Sequence, residues 1–239
     1  MAPPAATPLT LSIIIPVYNE EQTIGEVVER VRSVDIGDVR KEIIIANDGS
    51  SDGTRRAIDE SAWRDDPRVR VYDNVINLGK GAAIRLGLAH ATGDILLIQD
   101  ADLELDPQEY GGLLKPIVDS GAEVVYGSRF LLGGPKLSLR TRVANRLLTW
   151  TTNILYGARL TDMETGYKVF TRAALAGIRL RCVGFDFEPE VTAKLLKAGR
   201  RIVEVPISYR PRRADEGKKI RWVDGVDALY VLLRYRFVD

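Results

Sequence analysis

Two aspartates, Asp100 and Asp102, flank the small residue Ala101 directly after a short apolar stretch of the chain. In an extended or turning segment this spacing can bring one or both carboxylates to a single hard cation, Mg²⁺ or Mn²⁺. Glu104 continues the alternation and is a third candidate ligand, directly or through a water molecule. Acids after a strand often only solvate a loop, so the chemistry of this triplet depends on what the fold places beside it.

The segments around the triplet alternate between β-type runs and helical spacing. Residues 11–17 form a nearly continuous apolar run rich in β-branched residues, as expected of a strand buried on both faces. The repeated order predicts an α/β fold with a Rossmann-like, mostly parallel central sheet flanked by helices, and with amphipathic helices towards the C-terminus. Predicted strands are 11–17, 42–46, 69–73, 94–99, 123–126 and 201–206, and predicted helices are 20–34, one from about 54, 81–91, 107–120, 139–156, 189–198 and 222–235.

Three polar clusters follow predicted strands, at residues 16–20, 47–52 and 100–104. The carboxyl ends of parallel strands share one edge of a sheet, and ligands of open α/β sheets gather there. Unrelated polar clusters would not be expected to fall on the same edge, so we expect the three to form one site. Asp106 and Glu109 instead fit an N-cap and a capping-box glutamate, and we assign them to structure.

Composition favours one globular domain, because 45% of the 239 residues are hydrophobic and 28% are charged. We expect residues 1–10 to be a disordered tail and residues 11–239 to form a single domain with two halves, 11–126 and 127–239. The single cysteine, Cys182, excludes an internal disulfide. Without a secretion signal or a membrane-spanning segment, the expected compartment is the cytoplasm.

The net charge of +1 conceals an asymmetry between the two halves. Residues 1–126 carry 12 basic and 22 acidic side chains, a balance of −10, and residues 127–239 carry 22 and 11, a balance of +11. An acidic half can attract a metal ion, and a basic half can attract phosphates or an anionic membrane surface. Ordinary solvated surfaces are the alternative interpretation.

The motifs of the first half resemble the family 2 glycosyltransferases with a GT-A fold. The stretches that carry the resemblance, in the family's order and spacing, are Ser12-Ile-Ile-Ile-Pro-Val-Tyr-Asn-Glu20, Asn47-Asp-Gly-Ser-Ser-Asp52, Asn77-Leu-Gly-Lys-Gly-Ala82 and Gln99-Asp-Ala-Asp102. Three more, Gly127-Ser-Arg-Phe130, Thr161-Asp-Met-Glu-Thr-Gly-Tyr-Lys-Val-Phe170 and Glu216-Gly-Lys-Lys-Ile220, look like the polyprenyl-phosphate sugar synthases of the dolichyl-phosphate mannose synthase type. The resemblance extends over about residues 11 to 235.

This resemblance implies a donor site for a nucleotide sugar of the GDP-mannose or UDP-glucose type. Donor-binding residues would be Pro16, Tyr18, Glu20, Asp48, Lys80, Asp100, Ala101 and Asp102, and the metal ligands would be Asp100, Asp102 and Glu104. Family members often have two acids where this chain has Asn47-Asp48, and often glutamine where it has Glu104. The first departure bears on base recognition and the second on metal preference.

The resemblance implies a polyprenyl-phosphate acceptor. We expect it to bind the basic half, because arginine forks suit phosphate oxygens. Candidate phosphate ligands are Arg129, Arg142, Arg146 and, in a basic loop with Lys218 and Arg221, Lys219. An apolar stripe at helical spacing either rests in a membrane interface or packs in the core: Leu139, Val143, Leu147, Trp150 and Ile154. The implied partners include a membrane surface or a separate membrane subunit, and no nucleic acid.

The implied reaction is an inverting hexose transfer at the cytoplasmic face of a membrane, in which a divalent cation stabilises the leaving diphosphate. An anionic phosphate acceptor needs no general base, whereas a hydroxyl acceptor needs a carboxylate. Asp186 is the first candidate for that base, with Glu188, Glu190 and Asp162 as competitors. Alternatives are transfer to a saccharide hydroxyl, sugar-1-phosphate nucleotidyl transfer and a sugar-nucleotide-binding subunit without catalysis.

Overall fold

The structure, a computed structural model, describes residues 8–131, 133–134, 138–211 and 222–238. Within these residues seven strands form one sheet in the order β3-β2-β1-β4-β6-β5-β7. The strands are β1 (Thr10–Val17), β2 (Arg40–Asp48), β3 (Val69–Asn74), β4 (Ile95–Ile98), β5 (Val124–Ser128), β6 (Lys168–Thr171) and β7 (Ile202–Pro206). The α-helices are α1 (Ile24–Ser33), α2 (Thr54–Asp59), α3 (Lys80–His90), α4 (Tyr110–Ser120), α5 (Leu139–Tyr156), α6 (Arg172–Leu175), α7 (Phe187–Lys197) and α8 (Trp222–Phe237), and a 3₁₀ turn (Pro107–Glu109) precedes α4.

Helices cover both faces of the sheet. Along β1, Leu11, Ile13 and Ile15 enter one core with α1 and α4, while Ile14 enters a second core with α3 and α7. This alternation is why the run reads as continuously apolar. A third, smaller core joins α5, α7 and α8.

The predicted mostly parallel sheet is confirmed, but one strand was not predicted. β6 lies antiparallel between β4 and β5. It has only four residues and begins with the fully buried Lys168, so its sequence gives little apolar signal. Because β6 runs against its neighbours, its leading loop, residues 161–167, arrives at the edge where β1, β2 and β4 end.

Some boundaries also differ from the predicted ones. β1 starts at Thr10, whose amide donates to Asp94, so the sheet begins within the predicted tail 1–10. The first helix was predicted from Glu20 but begins at Ile24. The carbonyl of Glu20 accepts from the amides of Thr23 and Ile24, and this turn occupies the intervening residues.

Candidate active site

The acidic triplet follows β4 at the carboxyl edge of the sheet. Ala101 is buried in the first core, whereas Asp100 and Asp102 remain partly accessible. The amide of Glu104 donates to Asp102 Oδ1 at 3.2 Å, and Glu104 Oε2 accepts from the hydroxyl of Tyr209 at 2.7 Å. The predicted third ligand is therefore held by a tyrosine, in the same turn as Asp102.

Lys80 joins the triplet to the second half of the chain. Its Nζ lies 2.8 Å from Asp100 Oδ1 and 2.9 Å from Glu188 Oε1, and all three side chains are largely buried. Burial alone would lower the pKa of Lys80, but the two carboxylates outweigh it and raise that pKa above its ordinary value. Lys80 thus remains charged and neutralises carboxylates from both halves.

The loop before α3 sets the position of Lys80. The amides of Leu78 and Gly79 donate to the carboxylate of Asp48, which is buried at the end of β2. Gly79 has φ of 109°, which favours glycine, and a side chain there would meet the carbonyl of Val183. The amide of Gly81 then donates to the carbonyl of Gly184 at 2.9 Å. The first turn of α3 is therefore bonded to the loop that precedes α7.

The other predicted donor residues lie on the same edge and the first two polar clusters touch. The amide of Asn19 donates to Ser50 Oγ at 3.0 Å, the amide of Ser51 donates to Asn19 Oδ1 at 2.8 Å, and the amide of Glu20 donates to Thr54 Oγ1 at 2.8 Å. The amide of Gln99, just before the triplet, donates to a carbonyl of β1. The edge thus carries Pro16, Tyr18, Glu20, Asp48, Lys80 and the triplet.

The loop 161–167 packs directly on the triplet. A Cβ on Gly166 would collide with Asp100 Oδ2 and would lie 3.0 Å from Leu105 Cδ1. Glycine therefore lets this loop approach Asp100 closely, and a side chain at this position would push the carboxylate aside. The same loop contains Asp162, so it connects the metal-site candidates with the basic half.

Arg129 and Asp162 form a buried, two-pronged ion pair. Arg129 Nε lies 2.7 Å from Asp162 Oδ2 and Nη2 lies 2.7 Å from Oδ1, and Asp162 is 0% exposed. Burial would lower the pKa of Arg129, but Asp162 more than offsets this and keeps the guanidinium charged. The guanidinium carbon lies 5.1 Å from the ring centroid of Tyr209 and 5.9 Å from that of Phe130. This predicted phosphate ligand thus has a carboxylate as its present partner.

Two ionisable groups beside the triplet, the buried Lys168 and the partly buried Glu164, were not assigned a role from the sequence. Lys168 Nζ donates to the carbonyls of Met163 and Thr165, each at 2.7 Å, and burial lowers its pKa to about 8. Glu164 has a buried Oε1 without a hydrogen-bond partner. Burial, with repulsion from Glu188, raises the pKa of Glu164 to about 7. Both residues lie in the Thr161–Phe170 motif, which was the only signal that could have found them.

The predicted base candidates have different surroundings. Asp186 Oδ1 accepts from the amide of Val183 at 3.0 Å, at the N-terminus of α7. The carboxylate of Glu190 accepts from the amides of Arg181 and Cys182 and pairs with a lysine of its own helix. Glu188 alone of these three contacts Lys80 in the described structure.

Arg142 and Arg146 line a separate small cavity. The cavity measures about 180 Å³ and its other walls are Phe130, Gly133 and Gly134. Both arginines are exposed on α5. Lys219 and its basic loop lie outside the described residues. A larger groove of about 760 Å³ between α3 and α6 includes none of the predicted site residues.

The apolar stripe of α5 faces outward. Leu139 is 76% exposed and Trp150 is 62% exposed, and the rest of the stripe is comparable. The helix packs instead through Leu148, Thr149 and Thr152. On α8, Val226, Tyr230, Leu233 and Phe237 are exposed as well. The core-packing interpretation of the stripe is therefore wrong. In the described part of the chain, no helix has the length and apolarity needed to cross a membrane.

The oxygen donors of the triplet suit a hard divalent cation. Among the described residues no three acidic, histidine or cysteine side chains converge closely enough to hold a metal ion by themselves. Mg²⁺ is commonly held by one or two carboxylates together with substrate phosphates. Asp100 and Asp102 fit that incomplete ligand set, and the ammonium of Lys80 is the positive partner of Asp100 in this structure.

Comparison with known proteins identifies relatives of the chain. The sequence model of glycosyl transferase family 2 matches residues 12–179. Polyprenol monophosphomannose synthase of Mycolicibacterium smegmatis is 32% identical over 214 residues, which cover 86% of this chain and 79% of that protein. Undecaprenyl-phosphate mannosyltransferase of Micrococcus luteus is 31% identical over 216 residues, which cover 86% of this chain and 85% of that protein.

A solved structure has the same architecture. Glucosyl-3-phosphoglycerate synthase from Mycobacterium tuberculosis, in complex with Mn²⁺, UDP and phosphoglyceric acid, matches with a TM-score of 0.73 at 22% identity. The match covers 97% of this chain and 80% of that chain. Another complex of that synthase contains Mg²⁺ and UDP. At this identity the likeness shows a common fold.

Proposed function

The chain belongs to glycosyl transferase family 2 and has the GT-A fold, and from that premise we propose that it transfers a hexose from a nucleotide sugar to a polyprenyl phosphate. The predicted family and fold are thereby confirmed. The observation that carries the proposal is that the loop 161–167 contacts Asp100 through Gly166 and holds Arg129 through Asp162, next to Phe130 in the wall of the arginine-lined cavity. The names of the two bacterial relatives, which specify polyprenol-type carriers, support the acceptor.

On the donor side Asp100 and Asp102 would hold a divalent cation against the diphosphate of the nucleotide sugar, with Glu104 as a further ligand. When bound, such a cation stabilises the negative charge that develops on the leaving diphosphate. Lys80 provides fixed positive charge at the same point, since its ammonium lies 2.8 Å from Asp100. Tyr18 and the clusters at 16–20 and 47–52 form the adjoining wall for the nucleoside.

On the acceptor side the phosphate would occupy the cavity between Arg142 and Arg146. Arginine forks bind phosphate oxygens in pairs of hydrogen bonds, and none of the described residues that line this cavity is acidic. Arg129 is adjacent in sequence to Phe130, a cavity wall, and its ion pair with Asp162 fixes that wall. Lys219 keeps its predicted role in the loop beyond the described residues.

The chemistry then needs little proton transfer. A phosphate monoester is already anionic at neutral pH, so its oxygen attacks the anomeric carbon without a general base. Attack from the side opposite the diphosphate inverts the configuration at that carbon. The exposed stripe on α5 would lie in the membrane interface, which brings the lipid's phosphate to the two arginines of the same helix.

The test is transfer to lipid. The protein is incubated with Mg²⁺ or Mn²⁺, a panel of labelled nucleotide sugars and a short polyprenyl phosphate, and the label in the lipid extract is counted. Asp102→Asn should abolish turnover with the fold intact. Asp106→Asn is the matched control, because Asp106 Oδ1 only caps the following 3₁₀ turn.

Two outcomes would contradict the proposal. Label found on a saccharide hydroxyl, with none in lipid, would overturn the acceptor. Full activity of Asp102→Asn would overturn the metal site, and loss of activity on chelation with recovery on adding Mg²⁺ would support it.

A further inference from the structure

One carboxylate oxygen in the site has no hydrogen bond. Glu164 Oε1 is buried, and no donor in the described structure reaches it. A buried acceptor without a partner costs free energy, and native proteins keep few of them. Such an atom in a ligand-binding region indicates that the missing donor belongs to the ligand.

The neighbouring cations do not supply that donor. Glu164 is close enough to Lys168 and Arg129 for both to favour its charged form. Lys168 nevertheless donates to two main-chain carbonyls, and Arg129 donates to Asp162. Glu188, a carboxylate whose charge raises the pKa of Glu164, is paired with Lys80. Among the described residues no donor is left for Glu164 Oε1, so we look for it in the ligand.

The position of Glu164 indicates which ligand supplies this hydrogen bond. It lies in the loop 161–167, whose Gly166 touches Asp100 and whose Asp162 holds Arg129. The diphosphate is expected at Asp100 and the acceptor phosphate beyond Arg129. The group that passes between them is the hexose, and its hydroxyls are neutral donors of the kind Oε1 lacks.

We propose that Glu164 binds a hydroxyl group of the transferred hexose and contributes to the choice of sugar. The proposal rests on the proposed function. A carboxylate buried to meet a substrate hydroxyl rejects an analogue without that hydroxyl, because the carboxylate is then left unpaired. Glu188 is a second carboxylate close to Glu164, so two acids could form hydrogen bonds with neighbouring hydroxyls of the sugar.

The test compares two ligands, a nucleoside diphosphate and the same nucleotide carrying the sugar, by calorimetry with Mg²⁺ present. Glu164→Gln should weaken binding of the nucleotide sugar about 10- to 100-fold, the range for a hydrogen bond to a charged group. Binding of the bare nucleoside diphosphate should change less than about twofold, which also shows that the variant is folded. Glu164→Asp, which keeps the charge on a shorter side chain, should lie between.

Glu109→Gln is the matched control. Glu109 also has a buried oxygen without a hydrogen bond, but its other oxygen accepts from the amide of Ser208, and the sequence assigns it to a helix start. Its substitution should leave both affinities unchanged. If Glu109→Gln and Glu164→Gln had the same effect, the loss would be a general result of altering a buried carboxyl, and the proposal would be overturned.

Deoxy sugars identify the contact. For the nucleotide sugar lacking the hydroxyl that Glu164 binds, wild type and Glu164→Gln should bind within about twofold of each other, while other deoxy sugars should preserve the difference. Equal losses for the bare nucleotide and the nucleotide sugar would make Glu164 structural and overturn the inference. A wild-type protein that binds the nucleotide but transfers no sugar to any acceptor would overturn the proposed function as well.

Discussion

Replacing Arg129 with methionine should above all lower the free energy of unfolding of the protein. The substitution removes both prongs of a buried ion pair, from Arg129 Nε and Nη2 to the two oxygens of Asp162, each 2.7 Å long. Asp162 is fully buried and would be left with an uncompensated charge. Breaking a buried pair in this way typically costs about 3–5 kcal/mol.

The structure favours the lower part of that range. The backbone amide of Arg129 still donates to Asp162 Oδ2 at 3.0 Å after the substitution, so the carboxylate keeps one hydrogen bond. The lost contact between the guanidinium and the ring of Tyr209 adds about 0.5–1 kcal/mol. We therefore expect a loss of about 3–4 kcal/mol in the free energy of unfolding.

Denaturant unfolding with a double-mutant cycle measures this loss. Arg129→Met with Asp162→Leu should recover most of the stability, because an apolar pair leaves no buried charge. Arg142→Met is the comparison, since Arg142 is exposed on α5, and its stability should stay within about 0.5 kcal/mol of wild type while the acceptor KM rises. The acceptor KM of Arg129→Met should also rise more than its donor KM, because Phe130 is a cavity wall.

A wild-type unfolding free energy for Arg129→Met, combined with a raised acceptor KM, would refute this reasoning. Arg129 would then bind the phosphate directly, and its pairing with Asp162 would be exchanged for the ligand at no cost to the fold.

Three further predictions concern Glu164, Gly166 and Trp150. The wild-type protein should lose stability as pH rises from about 4.5 to about 7, because folded Glu164 holds a proton that the unfolded chain releases, and Glu164→Gln should remove this loss. Unfolding midpoints measured against pH would show it, with an upper bound of about 3.4 kcal/mol. Gly166→Ala should displace Asp100 and cut kcat at least about tenfold in the folded variant, and unchanged kinetics would contradict the close approach. Trp150→Asp should lower sedimentation with anionic vesicles at least about tenfold without changing the melting temperature, because that side chain is exposed.

The elements that a local pattern determines were predictable from the sequence. The buried strand at 11–17 and the helix at 139–156 agree with the structure closely, because their side-chain periodicity reports burial directly. The convergence of the three polar clusters followed from the parallel order of the strands. The amphipathic pattern of α5 could not show which face packs, since burial depends on the helices beside it. Its exposed stripe required the structure.

The partners of the charged residues were not predictable, because they depend on pairings distant in the chain. Lys80 and Glu188 are 108 residues apart, and they meet only because the loop before α7 bonds to the first turn of α3. Asp186 was the first candidate for a base on the strength of its motif. Glu188, two residues further along, instead contacts Lys80, the lysine that also pairs with Asp100.

The charges around the site explain why Glu164 differs from its neighbours. In the described structure the cations around Glu164 already have partners. Lys80 pairs with Asp100 and Glu188, Arg129 pairs with Asp162, and Lys168 donates to two main-chain carbonyls. Ionisation of Glu164 therefore adds a negative charge without a paired cation, and burial raises its pKa to about 7. A ligand hydroxyl that donates to Glu164 would favour the ionised form. Sugar binding should therefore release a proton near neutral pH. Calorimetry of the nucleotide sugar in buffers of different ionisation enthalpy would detect that proton with the wild-type protein and not with Glu164→Gln.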